Sequence, residues 1–169
     1  MLLYFALLVL KMEYKIKMIE YSDKSIFVSD AEALVNPVNC VGIAGKGLAF
    51  EFKRRFPSSF KGYKQWCDEG RMYPGFVFIH VYENGEPYIL SFPTKVHWKH
   101  QSHYHIIECG LSHLVERVKQ FRIKSISIPM LGCGLGGLDW KDVEPLIIEA
   151  FKELPDVRVI LHARTVPTL

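Results

Sequence analysis

Residues 125–140 read SISIPMLGCGLGGLDW, and the fold is decided here. Ile126, Ile128 and Met130 form an apolar run of strand type that breaks at Gly132, Gly134, Gly136 and Gly137, after which an amphipathic stretch begins. A strand that delivers a glycine-rich loop into the start of a helix presents unhindered backbone N–H groups to an anion, and the helix terminus adds partial positive charge. Gly132, Cys133, Gly134, Leu135, Gly136, Gly137 and Leu138 are therefore read as a diphosphate cradle. A tight turn with no ligand is the plainer alternative. Gly132, Gly134 and Gly137 also satisfy the dinucleotide spacing G-x-G-x-x-G. The next strand-like run, 157–162, leads into His162 and Arg164 where an acidic ribose-binding residue would stand, so the loop suits a diphosphate better than NAD.

Working outward, short apolar runs alternate with helical periods. Residues 19–21 and 26–28 read as short strands, and 33–38 as a buried one. Helices are expected over 47–56, stopped by Pro57, and over 58–69, capped by Ser58 and ended at Gly70. Runs 76–81 and 88–92 flank Glu83-Asn84-Gly85 and predict a hairpin. Residues 102–121 read as the longest helix, 124–129 as a strand, 141–154 as the last helix and 157–162 as the last strand. The pattern predicts a three-layer α/β/α sandwich with a mixed, mostly parallel sheet, its ligand at the carboxyl ends of the strands.

With 169 residues, the chain is one ordinary domain. Residues 1–17 are set apart as an extension, an extra strand or a mis-started N-terminus, and 18–169 as the domain. The apolar stretch 1–10 is too short to span a bilayer and lacks the flanks of a signal peptide, so no membrane association is expected. A net charge of +3 excludes a general nucleic-acid coat and leaves room only for a local patch. Four cysteines, Cys40, Cys67, Cys109 and Cys133, form no C-x-x-C pair, which fits reduced thiols in a cytoplasm.

The strand at 33–38 leads into Asn36-Pro37-Val38-Asn39 and a second glycine-rich loop, Cys40, Val41, Gly42, Ile43, Ala44, Gly45, Lys46 and Gly47. Gly45-Lys46 is not a Walker motif, since Cys40 replaces its glycine and Gly47 its magnesium-binding hydroxyl. Asn36 and Asn39 either shape the turn or hydrogen-bond a sugar. Lys95 follows a hairpin strand, where a lone lysine is ordinarily a solvated charge. Beyond it, His97, Trp98, Lys99 and His100, with His103 and His105, lack acidic or thiol company, so no metal site is expected. His97, Trp98 and Lys99 suit contact with DNA through phosphate and base stacking, against the plainer reading of Trp98 as core. Lys53, Arg54 and Arg55 extend a basic rim or form a solvated helix face.

The stretches VNPVNCVGIAGKGLAFEFKRRFP, SFPTKVHW and IPMLGCGLGGLDW together resemble the macrodomain, an ADP-ribose-binding fold. They are most similar to its branch of DNA ADP-ribosyl glycohydrolases, antitoxins that reverse ADP-ribosylation of thymidine in DNA. The resemblance implies a glycohydrolase needing no cofactor, with Lys95 catalytic, Asn39 facing the distal ribose, residues 41–47 covering it and 132–138 on the diphosphate. It implies ADP-ribosylated DNA as substrate, a cognate ADP-ribosyltransferase toxin as partner, and a cytoplasmic monomer. Where many macrodomains read adenine with an aspartate, this chain has Ser25, with Asp23 close by. Where related enzymes of protein ADP-ribose pair their lysine with an aspartate, it has Gly136, with Asp139 three residues on. A binding module without turnover, or a hydrolase of protein-linked ADP-ribose or ADP-ribose 1″-phosphate, are the alternatives.

Overall fold

Ala33–Val38 is apolar apart from Asn36, and a strand so composed needs cover on both faces. In the computed structural model, which describes residues 19–163, it is an interior strand of a six-stranded sheet. The proposed extension 1–17 and a domain start at Met18 lie outside the described residues. In chain order the elements are β1 (Ile19–Ser22), a 3-10 turn (Ile26–Val28), β2 (Ala33–Val38), α1 (Gly47–Arg55), α2 (Pro57–Asp68), β3 (Phe78–His80), β4 (Tyr88–Pro93), α3 (Tyr104–Gln120), β5 (Ser125–Pro129), α4 (Trp140–Phe151) and β6 (Arg158–His162). The strands lie in the order β1-β6-β5-β2-β4-β3, all pairs parallel except β3 with β4. This is the expected three-layer sandwich. No helix among the described residues is long and apolar enough to cross a membrane.

Strand alternation divides the core. Ala33 and Val35 of β2, with Leu90 and Phe92 of β4 and Ile126 and Ile128 of β5, pack under α3 and α4 against Ile107, Leu111, Leu114, Val143 and Ile147. Leu34 faces the other way and joins Phe52 of α1, Ile26 and Ile89. Val38 packs with Tyr63 of α2 and Met72. The face under α1 and α2 is thus two small cores, and Asn36, in register with Ser91 of β4, lies on that face between Leu34 and Val38.

Two local expectations are corrected. Residues 26–28 are not a strand: the Ser25 hydroxyl accepts the Phe27 N–H at 3.4 Å and the Ser29 N–H donates to the Ile26 carbonyl at 3.3 Å, which closes a 3-10 turn. Flanking serines offer so short a run local bonds that compete with a ladder. Ser58 is not a cap: α2 begins at Pro57, whose missing N–H and fixed φ suit the first helical position.

Close approach of α3 to the sheet depends on Gly110. A Cβ there would lie 2.3 Å from the tip of the Phe92 ring, which is held in the core and cannot swing away. Gly110→Val is expected to cost about 2–3 kcal/mol of stability, read as a fall in the urea midpoint at unchanged slope.

Candidate functional site

Because β1, β2, β4, β5 and β6 run parallel, their carboxyl ends meet along one edge, and both glycine-rich loops emerge there. The first loop is shaped by Asn39. Its Oδ1 accepts the N–H groups of Val41 at 3.1 Å and Ile43 at 3.3 Å, its Nδ2 donates to the Ile43 carbonyl at 2.7 Å, and the Tyr63 hydroxyl donates to its backbone carbonyl at 2.8 Å. Turn-making and sugar-binding, posed as alternatives for Asn39, are compatible, since an amide carries a second N–H that these bonds leave over. Asn36 is buried within β2, ahead of its last residues Pro37 and Val38, and among the described residues its Oδ1 and the Ser91 hydroxyl find no hydrogen-bond partner.

Gly42 and Gly47 hold positive φ, +74° and +64°, at the loop's bends. Lys46 sits extended before α1, which has no side-chain cap and no acid in its first turn, so the helix terminus stays open to an anion. Val41 and Ile43 are exposed, and a Cβ on Gly45 would meet nothing within 4 Å. Cys40 is half-buried and its thiol donates weakly to the Lys95 carbonyl at 3.7 Å.

The second loop folds on itself through Leu138 N–H to the Gly132 carbonyl at 3.0 Å and Gly137 N–H to that of Gly134 at 3.2 Å. Among the described residues, the N–H groups of Gly134, Leu135 and Gly136 donate to no protein acceptor. Three successive free donors are what an anion-binding nest requires. Gly136 is fixed from below, since a Cβ there would lie 2.3 Å from both the Gly132 carbonyl and the Ser102 hydroxyl. Ser102, missed in the sequence, buttresses the loop: its N–H donates to the Gly136 carbonyl at 2.9 Å. Nothing in the sequence around it, among histidines before a helix, signals that contact. The two loops approach each other, a Cβ on Gly47 falling 3.8 Å from the Leu135 side chain, whose leucine is itself 76% exposed.

Lys95 sits at the carboxyl end of β4 and is not the solvated charge its position suggests. It is 8% exposed, and Nζ donates to the Leu135 carbonyl at 3.0 Å. Burial holds its amine below the usual lysine range, and no carboxylate among the described residues pairs with it to restore the charge. The thiols move the opposite way. Burial, with Cys67 nearby, pushes Cys40 up to about 12, and burial, with Asp139 nearby, pushes Cys133 up to about 11. At neutral pH both therefore stay thiols and are poor nucleophiles.

Asp139 is committed elsewhere. Its carboxylate accepts the Lys141 N–H at 3.0 Å as the N-cap of α4 and pairs with the Lys141 ammonium at 3.3 Å. Those bonds hold its pKa below the usual value. Ser25 caps the 3-10 turn beyond β1 and is exposed, as is Asp23, so both stand at the same sheet edge. Trp98, left between core and surface by the sequence, is 49% exposed with His97 stacked on it and Lys99 above its ring. The rim residues are partly engaged: Arg54 and Arg55 pair with Glu51, and Lys53 lies over Phe60. Among the described residues no group of three or more His, Cys, Asp and Glu is placed to hold a metal ion.

Gly134 separates fold from binding, because a side chain there meets open space. Gly134→Glu is expected to leave the unfolding free energy within about 0.5 kcal/mol of the parent and to abolish binding of the diphosphate ligand expected from the sequence, tested by calorimetry with ADP-ribose, since it puts a carboxylate beside the free N–H groups.

Residues 35–147 match the family model described as Macro domain. A DNA ADP-ribosyl glycohydrolase of Mycobacterium tuberculosis is 42% identical over 147 residues, which cover 86% of this chain and 42% of that protein. The solved macrodomain of M. tuberculosis DarG superposes with a TM-score of 0.84 at 41% identity, covering 88% of this chain and 99% of that one. A DNA ADP-ribosyl transferase-DNA ADP-ribosyl glycohydrolase fusion protein of Thermosipho africanus is 36% identical over 76% of this chain and 38% of its own length. The solved structure of Thermosipho africanus DarTG in complex with ADP-ribose matches with a TM-score of 0.78 and 33% identity, over 87% of this chain and 43% of that one. The chain spans about two fifths of the length of these curated relatives. On the family model, the relatives and the shared architecture, this chain belongs to the Macro domain family.

Proposed function

We propose that this protein is an ADP-ribosyl glycohydrolase that removes ADP-ribose from modified bases in DNA. The observation that carries the reading is Lys95: a buried amine of lowered pKa, with no carboxylate partner among the described residues, held on the Leu135 carbonyl of the second glycine loop. In this reading the diphosphate lies on the free N–H groups of residues 134–136, the distal ribose lies under residues 41–47, and Ser25 with Asp23 stands at the adenine end. Identity to named DNA ADP-ribosyl glycohydrolases along most of the chain supports DNA as the substrate. The Thermosipho relative, which joins a transferase to the glycohydrolase in one protein, supports an ADP-ribosyltransferase as the source of that substrate.

The chemistry asks for a neutral amine. The C1″–O4″ bond of the distal ribose breaks as O4″ takes a proton from water, leaving an electrophilic C1″ to which the Lys95 nitrogen lone pair adds. The bond from C1″ to the base nitrogen then breaks, and that nitrogen leaves with a proton. The resulting C1″ imine on Lys95 is hydrolysed by water, which returns free ADP-ribose and the amine. No metal enters this sequence, and desolvation of Lys95 shifts its amine toward the neutral form relative to a solvated lysine.

Three measurements test it. Lys95→Ala is expected to lower turnover of ADP-ribosylated DNA by about 10²–10⁴-fold while ADP-ribose affinity stays within a few-fold, the pattern of a transition-state interaction. Lys95→Arg is expected not to rescue, because a guanidinium stays protonated. Full activity in either variant would leave a binding module, or a water-based mechanism, as the better account. The protonated amine has no lone pair, so kcat should rise with pH and level off once Lys95 is neutral, with its inflection below the usual lysine value. Borohydride added during turnover should trap a covalent adduct that Lys95→Ala cannot form.

A further inference from the structure

The proposed reaction leaves one built feature unused. Three residues beyond Lys95 the chain makes a tight turn, closed by the His100 N–H donating to the His97 carbonyl at 2.9 Å and the Lys99 N–H to His97 Nδ1 at 3.3 Å. Trp98 stands at its tip, 49% exposed, its indole stacked on the His97 imidazole at 5.5 Å between centroids and an interplanar angle of 29°. His100 lies 5.3 Å from His97, and the Lys99 ammonium sits 5.1 Å from the centre of the indole. The turn is fastened to the first glycine loop, since the Cys40 N–H donates to the Val96 carbonyl at 2.8 Å. From Pro87 to Ile107 the sequence contains no Asp or Glu, while it holds Lys95, Lys99 and four histidines.

A large aromatic face kept half in water carries an exposure cost that core packing would have removed, and here local rings and a pinned backbone fix its orientation in advance. A segment with no acid of its own that carries cations complements a phosphodiester strand. The base being released must sit on C1″ at Lys95, and three residues separate the two Cα atoms by at most about 10 Å, which sets the Trp98 backbone within a nucleotide or two of the Lys95 backbone. We propose that His97 and Trp98 form a stacking platform for an unpaired base adjoining the modified nucleotide, with Lys99 swinging off the indole onto the neighbouring phosphate. The platform makes the substrate a strand rather than a lone modified nucleotide. This rests on the DNA reading above.

The test compares two substrates: an ADP-ribosylated oligonucleotide with unmodified bases on both sides, and the ADP-ribosylated mononucleotide. Trp98→Ala is expected to lower the ratio of kcat/KM on the oligonucleotide to that on the mononucleotide by about tenfold or more, through KM, and Trp98→Phe to restore most of it. Replacing the flanking bases by abasic sites should impose the same loss on the parent protein and no further loss on Trp98→Ala. An unchanged ratio in Trp98→Ala would overturn the platform. If neither substrate is turned over, the glycohydrolase reading falls. The platform is then read by fluorescence anisotropy of a labelled, unmodified single-stranded oligonucleotide, where lost affinity in Trp98→Ala upholds it and unchanged affinity overturns it.

Discussion

The parallel pairing of β2 with β4 on one side and β5 on the other is the constraint on which the site depends. Parallel neighbours must send their carboxyl ends to one edge, so three chain segments far apart in sequence, the loops after residues 38, 93 and 129, leave the sheet side by side. A core that is apolar on both faces of these strands fixes the register, since a slip of one residue would turn Val35 and Leu90 out of one core and Leu34 and Ile89 out of the other. Lys95 then meets the Leu135 carbonyl, although the two lie 40 residues apart.

Electrostatics at this edge is arranged by what is left out as much as by what is present. The loops offer N–H groups and a helix terminus without a capping side chain, and Asp139, the nearest acid in sequence to the second loop, is neutralised by capping α4 and pairing with Lys141. An anion therefore finds donors at both loops, and the carboxylate next to the second is already engaged. The same burial that raises the pKa of the Cys40 and Cys133 thiols lowers that of the Lys95 amine, because desolvation disfavours whichever form is charged. One physical effect thus moves the two thiols and the amine alike toward their neutral forms.

Much of this was legible in the chain. Glycines at 132, 134, 136 and 137 after an apolar run have few uses other than a loop that must approach something closely, and the alternation of strand-like and helical periods leads to a layered α/β architecture. The short segment 26–28 misled because apolar residues alone do not reveal whether flanking serines will take the backbone hydrogen bonds. Trp98 stayed ambiguous for a similar reason, as an aromatic between polar residues fits either a core edge or a surface platform until its neighbours are placed.

The sequence by itself determined the elements, the two glycine-rich loops and the direction in which they would be delivered, because those follow from local steric freedom and hydrophobic period. The tertiary structure alone decided the state of each group at the site. That Lys95 is buried against the Leu135 carbonyl, that Asn39 spends most of its amide on its own loop, that Asn36 sits inside the sheet and that Ser102 supports Gly136 are all consequences of contacts across the fold. Protonation, exposure and spare hydrogen-bonding capacity are properties of an environment, and the environment of each of these residues is built by segments remote from it in the chain.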